Sequence, residues 1–170
     1  MTTPYEFTLV VDRDPTEVAD HLFEVGHGDY VPEGPSPALV HVLHEATTLA
    51  AAIVMAVHIV EAVGLSVVGL KSDDLVSVKE IAARLGRTYE SVRLLAAGQR
   101  GPGGFPAPLS DGQWALYSWT EVADWCATHY GTPGPTDWDR EVTAADHVIR
   151  ARHILAGDEL RAEMAQVMSA

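Results

Sequence analysis

Arg93 stands where a guanidinium can do recognition chemistry. Thr88, Tyr89 and Glu90 precede it within two helical turns, and Lys79, Arg87 and Arg100 flank it. A guanidinium donates to O6 and N7 of a guanine together. The Thr88 and Tyr89 hydroxyls can bond a phosphate or a base. Glu90 is double-edged: it can accept from a cytosine N4 or repel a phosphate. Residues 87–100 hold three arginines against one glutamate, a local excess of positive charge in a chain of 170 residues with net charge −13.

The spacing around these residues predicts the elements that hold them. Residues 78–95 read as two helices and a tight turn. Ile81, Ala82 and Leu85 form the buried side of the first helix. Gly86 ends it, where a positive φ is cheap only for glycine. Thr88 caps the second helix, and Val92 and Leu95 point back at the first. Thr88, Tyr89, Glu90, Arg93, Leu94 and Ala97 are then left facing outward, as on the recognition helix of a helix-turn-helix. Glycines and prolines follow, from Gly98 to Pro108. Asp111-Gly112 is a hairpin-turn dipeptide, and Gln113 to Ser118 alternates as a returning strand. Ser118 or Thr120 caps a further helix with Val122 and Trp125 on one face. The order is helix, turn, helix, two-stranded wing, helix.

Three motifs in this stretch, the helix-turn-helix, Phe105-Pro106-Ala107-Pro108, and Trp119 with Val122-Ala-Asp-Trp125, make residues 75–126 resemble the MerR-like winged domains of the AlpA and excisionase type. The resemblance covers about 52 of 170 residues. It implies sequence-specific binding of double-stranded DNA and transcriptional regulation, with the recognition helix in the major groove and the wing beside it. Thr88, Tyr89, Arg93 and the wing residues around Gln113 carry over as contacts. The chain departs from the pattern in a wing poor in basic residues and in Glu90 on the reading face.

The remaining segments read as supports. Residues 1–72 are expected to form an α/β sensor or interaction domain. Tyr5–Val11 alternates as a strand, Asp14-Pro15 starts a helix, and Leu39–Leu43 and Ser66–Leu70 read as strands. A long apolar helix capped by Thr47 or Thr48 ends at Gly64. The order suggests a ferredoxin-like split βαβ sheet. Lys71–Asp74 reads as a polar hinge, and 73–131 as the winged helix-turn-helix. Residues 132–170 are expected to be a C-terminal helical segment, with Thr143 and Asp146 at capping spacing. Its stripe of Ile149, Ala156, Leu160, Met164 and Val167 can pack on its own chain or on a second copy. Related regulators pair through C-terminal helices, so the resemblance implies a homodimer. The expected class is thus α+β: a ferredoxin-like domain, a winged helix-turn-helix and C-terminal helices.

Charge divides unevenly along the chain. Residues 1–73 carry 11 acidic and 2 basic groups, whereas 74–131 carry 6 and 5. Acidic flanks farther from DNA than the Debye length of about 8 Å cost little affinity. The apolar run from Leu49 to Val57, with Ile59 and Val60 following His58, is shorter than the roughly 20 residues a membrane span needs. The amino terminus lacks a basic and an apolar signal region, so the cytoplasm is expected. Cys126 is the lone cysteine, which excludes an intrachain disulfide and a cysteine zinc cluster. The glycines after Gly98 lack the Gly-Lys-Ser/Thr ending of a phosphate loop. His41 and His44 fall on opposite faces of a strand, and His21, His27 and Asp29 near one loop are the least poor metal arrangement. No nucleophile elbow is present, so neither catalysis nor a cofactor is expected. Two readings remain: a DNA-binding regulator, and a protein-binding adaptor, antitoxin-like or a phage-excision accessory factor, with a partner on the N-terminal domain. They part on Lys79, Arg87, Arg93 and Arg100. One exposed face favours DNA; dispersal, or pairing to Glu80, Glu90 and Asp111, favours the adaptor.

Overall fold

Apolar alternation along the first nine-residue strand sets the first layer of the fold. The computed structural model describes residues 1–110, 112, 114–155 and 157–169. They form a mixed α and β chain with two antiparallel sheets. The residues group into two units, 1–71 with 144–170, and 72–143. The stretch 132–170 therefore divides between them.

In the first unit, β1 (Thr3–Val11) buries Phe7, Leu9 and Val11. The Asp14 carboxylate accepts from the Thr16 amide at 2.9 Å and starts a short 3-10 turn, Pro15–Val18, that leads into α1 (Ala19–Val25). β2 (Tyr30–Glu33), β3 (Leu39–Ala46), α2 (Leu49–Ala62) and β4 (Val67–Leu70) follow. The sheet order is β2-β3-β1-β4, and every neighbouring pair is antiparallel. The register sets Phe7 opposite Val42, Leu9 opposite Val40 and Tyr30 opposite Val42. One face of the sheet thereby collects the apolar side chains. α2 buries Ala52, Ile53, Ala56, Val57 and Val60, with the Thr48 hydroxyl capping it through the Ala51 amide. Burying aliphatic side chains contributes about 1.5–3 kcal/mol each, and this apolar helix supplies much of the unit's core.

The edge of β4 is closed by α6 (Asp137–Ile154). Asp146 Oδ1 accepts from the Leu70 amide at 2.8 Å, and Arg152 donates to the Val67 carbonyl at 3.2 Å and to Glu61. These side chains satisfy backbone groups that an open edge strand would offer to another chain. Thr143 and Asp146 therefore do not cap a helix as their spacing suggested. The helix begins earlier, where Thr136 and Asp139 exchange cap bonds of 2.8 and 3.2 Å. The chain holds two Thr-x-x-Asp patterns in succession; the first follows Pro135, and the second is already inside the helix.

In the second unit, β5 (Leu75–Ser77) leads into α3 (Val78–Arg84), then α4 (Tyr89–Ala96), β6 (Leu116–Ser118) and α5 (Trp119–Tyr130). Ser77 and Glu80 form a full capping box at the start of α3. Val76, Ile81, Val92, Leu95, Val122 and Trp125 are buried in one cluster, and Phe105 packs on it. The expected wing needs a correction. β6 pairs with β5, Val76 opposite Tyr117, and among the described residues it forms no ladder with the arm before the turn. Pro106 and Pro108 have no N–H to give such a ladder. The Leu109 amide still reaches the Leu116 carbonyl at 2.7 Å. Of the expected turn, Gly112 has φ of 111°, and Asp111 lies outside the described residues.

Asp74 is a second correction. It is not part of an exposed hinge but is buried, and it ties the start of α5. Its carbonyl accepts from the Trp119 amide and its Oδ1 from the Thr120 amide, both at 2.7 Å.

Candidate nucleic-acid interface

The helix pair α3 and α4 carries the site. Gly86, with φ of +62°, closes α3 and lets the Arg87 amide reach the Ala82 carbonyl at 2.9 Å. The Thr88 hydroxyl then caps α4 by accepting from the Ser91 amide at 3.2 Å. With about 100° between successive residues, the burial of Val92 and Leu95 turns Tyr89, Glu90, Arg93 and Ala97 to the opposite side. All four are exposed, and Leu94 is half-buried.

Arg93 does not stand alone. Its Nε donates to Glu90 Oε2 at 2.8 Å and its Nη2 to Glu90 Oε1 at 2.7 Å. The arginine's hydrogen bonds hold the Glu90 carboxyl below the usual carboxylate range, and the carboxylate raises the guanidinium in return. Glu80 is also held low, first by the Ser77 amide and then by the Ser77 hydroxyl. Both carboxylates of this helix pair are therefore engaged, one in a cap and one with Arg93.

The other basic groups stand differently. Arg87 is half-buried, its guanidinium carbon 4.4 Å from the centre of the Tyr130 ring. Lys79 and Arg100 are exposed and make no ion pair with the described residues. Of the four basic residues on which the two readings part, one is paired to Glu90 and none to Glu80. Gln113, expected as a wing contact, lies outside the described residues, as does Asp111. Beside it, Trp114 is 80 % exposed.

Arg100 sits on a loop that aromatic side chains hold in place. Trp125 Nε1 donates to the Gly103 carbonyl at 3.0 Å, and its ring lies 5.0 Å from Phe105 and 5.5 Å from Tyr130. Gly101 has φ of +86°, and a Cβ there would come within 2.5 Å of Leu95 Cδ2. Glycine is required at that position by both backbone and space. The glycine run is thus a turn fitted to the core of its own unit.

Two exposed residues of this unit escaped the motif reading. Arg84, exposed on α3, lies 4.9 Å over the Trp119 ring. It adds a fifth basic group to residues 78–100, and a plain charge count over the first helix would have found it. Trp114 had no signal, since alternation along 113–118 does not say which strand end is bare.

Other candidate chemistry stays apart. Burial raises the Cys126 thiol, away from nucleophilic use. His41 bonds Thr8 at 3.1 Å and Glu33 at 2.6 Å, while His44 bonds Tyr30 at 3.1 Å. Among the described residues no three His, Cys, Asp or Glu side chains gather as a metal site, and no helix is long and apolar enough to cross a membrane. No protein-family profile matches the chain, and no curated protein or solved structure is significantly similar to it.

Proposed function

We propose that the chain is a sequence-specific double-stranded DNA-binding protein, a transcriptional regulator that reads the major groove with residues 88–97. One observation carries the reading. Residues 78–100 hold five of the eleven basic groups, Lys79, Arg84, Arg87, Arg93 and Arg100, while their two carboxylates are engaged by Ser77 and Arg93. Residues 78–100 thus carry five basic groups against two acidic ones in an otherwise acidic chain, with Arg93 on the exposed side of α4 and paired there to Glu90. Such a field favours phosphate, and the small number of cations keeps nonspecific affinity low. The Gly86 turn, the Thr88 cap and the aromatic packing of Phe105 and Trp125 support a MerR-like helix-turn-helix domain over 73–131, one whose wing is not a two-stranded ladder among the described residues, with Thr88, Tyr89, Arg93 and Arg100 as contacts. The β2-β3-β1-β4 order supports a ferredoxin-like sensor or interaction domain.

A homodimer belongs to this reading. α7 (Asp158–Ala165) and the 3-10 turn after it, Gln166–Ser169, bury none of their residues. Leu160 is exposed, and so are Met164, Val167 and Met168, which line a cleft of about 320 Å3. A dimer would bind two half-sites about one helical turn apart.

The Glu90–Arg93 pair favours the second reading, a protein-binding adaptor, because it partly neutralises the central arginine. Selection from random duplexes, at low and then physiological salt, separates the two. Enrichment of one motif is expected. Arg93→Ala should cost about 1–3 kcal/mol and relax preference at one base pair. Folded protein that enriches nothing at either salt would leave the adaptor.

A further inference from the structure

Glu90 is the residue that a DNA reader ought not to carry at the centre of its reading helix, and its geometry gives a reason for it. We propose that Glu90 is the specificity-setting partner of Arg93: it aims the arginine at a guanine and itself takes the amino group of a neighbouring cytosine. This rests on the DNA-binding reading above.

The pair is side-on. Glu90 occupies the Nε and Nη2 edge of the guanidinium with contacts of 2.8 and 2.7 Å. A guanidinium has five N–H donors in a fixed fork. The two bonds leave both hydrogens of Nη1 and one of Nη2. Those at the outer end are parallel and match O6 and N7 of guanine, the commonest specific contact in the major groove. The carboxylate keeps acceptor sites beyond the two it uses. In the groove they suit the cytosine N4 amino group, the usual partner of a carboxylate there; adenine N6, the other major-groove donor, sits beside the N7 acceptor, which a carboxylate repels.

The same pairing restrains the arginine. A free arginine on an exposed helix swings to the nearest phosphate. One held on two bonds by a residue three positions earlier in α4 does not, and its carboxylate repels phosphate directly. Nonspecific binding loses a contact while base reading loses none. That fits a surface with few cations, where discrimination cannot come from affinity in excess.

The test is selection from random duplexes with the native protein, Glu90→Gln and Arg93→Ala, together with the salt dependence of binding to a fixed nonspecific duplex. The native motif should hold a fixed guanine with a cytosine adjoining. Glu90→Gln should lower cytosine preference about tenfold and widen tolerance at the guanine. Its nonspecific salt slope should steepen by about one, as the released arginine reaches a phosphate. Glu90→Ala provides the same readout with no amide to substitute for the acid, and thermal melting of each variant reports folding. A Glu90→Gln motif and slope identical to those of the native protein would overturn this role and leave the DNA-binding reading intact. Folded native protein that enriches no motif would overturn both.

Discussion

The two units spend their residues differently. The first sets 14 acidic against 5 basic groups and rests on aliphatic packing between a four-stranded sheet and an almost uniformly apolar helix. The second sets 10 against 6 and has a smaller core in which Phe105, Tyr117 and Trp125 do the filling and glycines set the loop over them. A small core has few layers to lose, so a single aromatic carries more of it. Trp125→Ala is the largest test of that difference. It deletes three ring contacts and the hydrogen bond to Gly103 and should cost about 3–5 kcal/mol. Hydrogen exchange should show α3 and α4 opening, with loss of DNA binding, while β1 and α2 keep their protection. Simultaneous loss in both would show that they unfold as one body.

The first unit should fail in its own way, at high pH. Burial pushes the Tyr30 hydroxyl from 10.0 up to about 12. The folded state thus disfavours the tyrosinate more than the unfolded chain does. The stability so contributed is whole below pH 10 and is lost as pH rises through about 12, by about 2–3 kcal/mol. The stability of the first unit, followed through an alkaline titration, should fall accordingly, and Tyr30→Phe should remove that step; an unchanged profile would detach Tyr30 from it. Asp146→Ala tests the sheet edge. It strips the Leu70 amide of its acceptor and Arg150 of its partner, at about 1–3 kcal/mol. Thermal melting should register that loss, and an equal loss in Arg150→Ala alone would assign the effect to the ion pair instead of the strand edge.

What the sequence reveals follows the range of the forces. Local signals read well: the alternation of Phe7, Leu9 and Val11, the Thr48 cap of α2, the Gly86 turn and the Thr88 cap are all settled within a few residues. Interactions that join distant parts of the chain were silent. Nothing near Asp74 announces that it will receive the Thr120 amide 46 residues later, and nothing near Asp146 announces the Leu70 amide. The strand pairing failed for the same reason. A hairpin dipeptide drew β6 toward its sequence neighbour, although the prolines there cannot donate and the true partner precedes α3. At the candidate site, residue types and exposure were legible, because they follow from helical period. The pairing of Arg93 with Glu90 was open, since side chains three apart on a helix can meet without being required to.

The smallest test lies at the acid end, where the second unit should respond more than its size suggests. Ser77 and Glu80 hold the start of α3: the Ser77 amide and hydroxyl both donate to Glu80 Oε2, at 2.8 and 2.7 Å. The ionised carboxylate accepts these bonds more strongly than the neutral acid, and they lower the Glu80 carboxyl from its ordinary value of 4.5. Their stabilisation is therefore whole above pH 4.5 and is lost as pH falls through the lower folded value. Ser77→Ala should cost about 1 kcal/mol at neutral pH. It should also flatten the acid limb of the second unit's melting profile, because the carboxylate then loses the serine hydroxyl from its folded-state partners. Glu80→Gln provides the complementary arm, removing the titration while keeping an acceptor for the Ser77 amide. A mutant profile parallel to the native one between pH 5 and 3 would place the acid sensitivity elsewhere, with Glu90 and its arginine the next pair to vary.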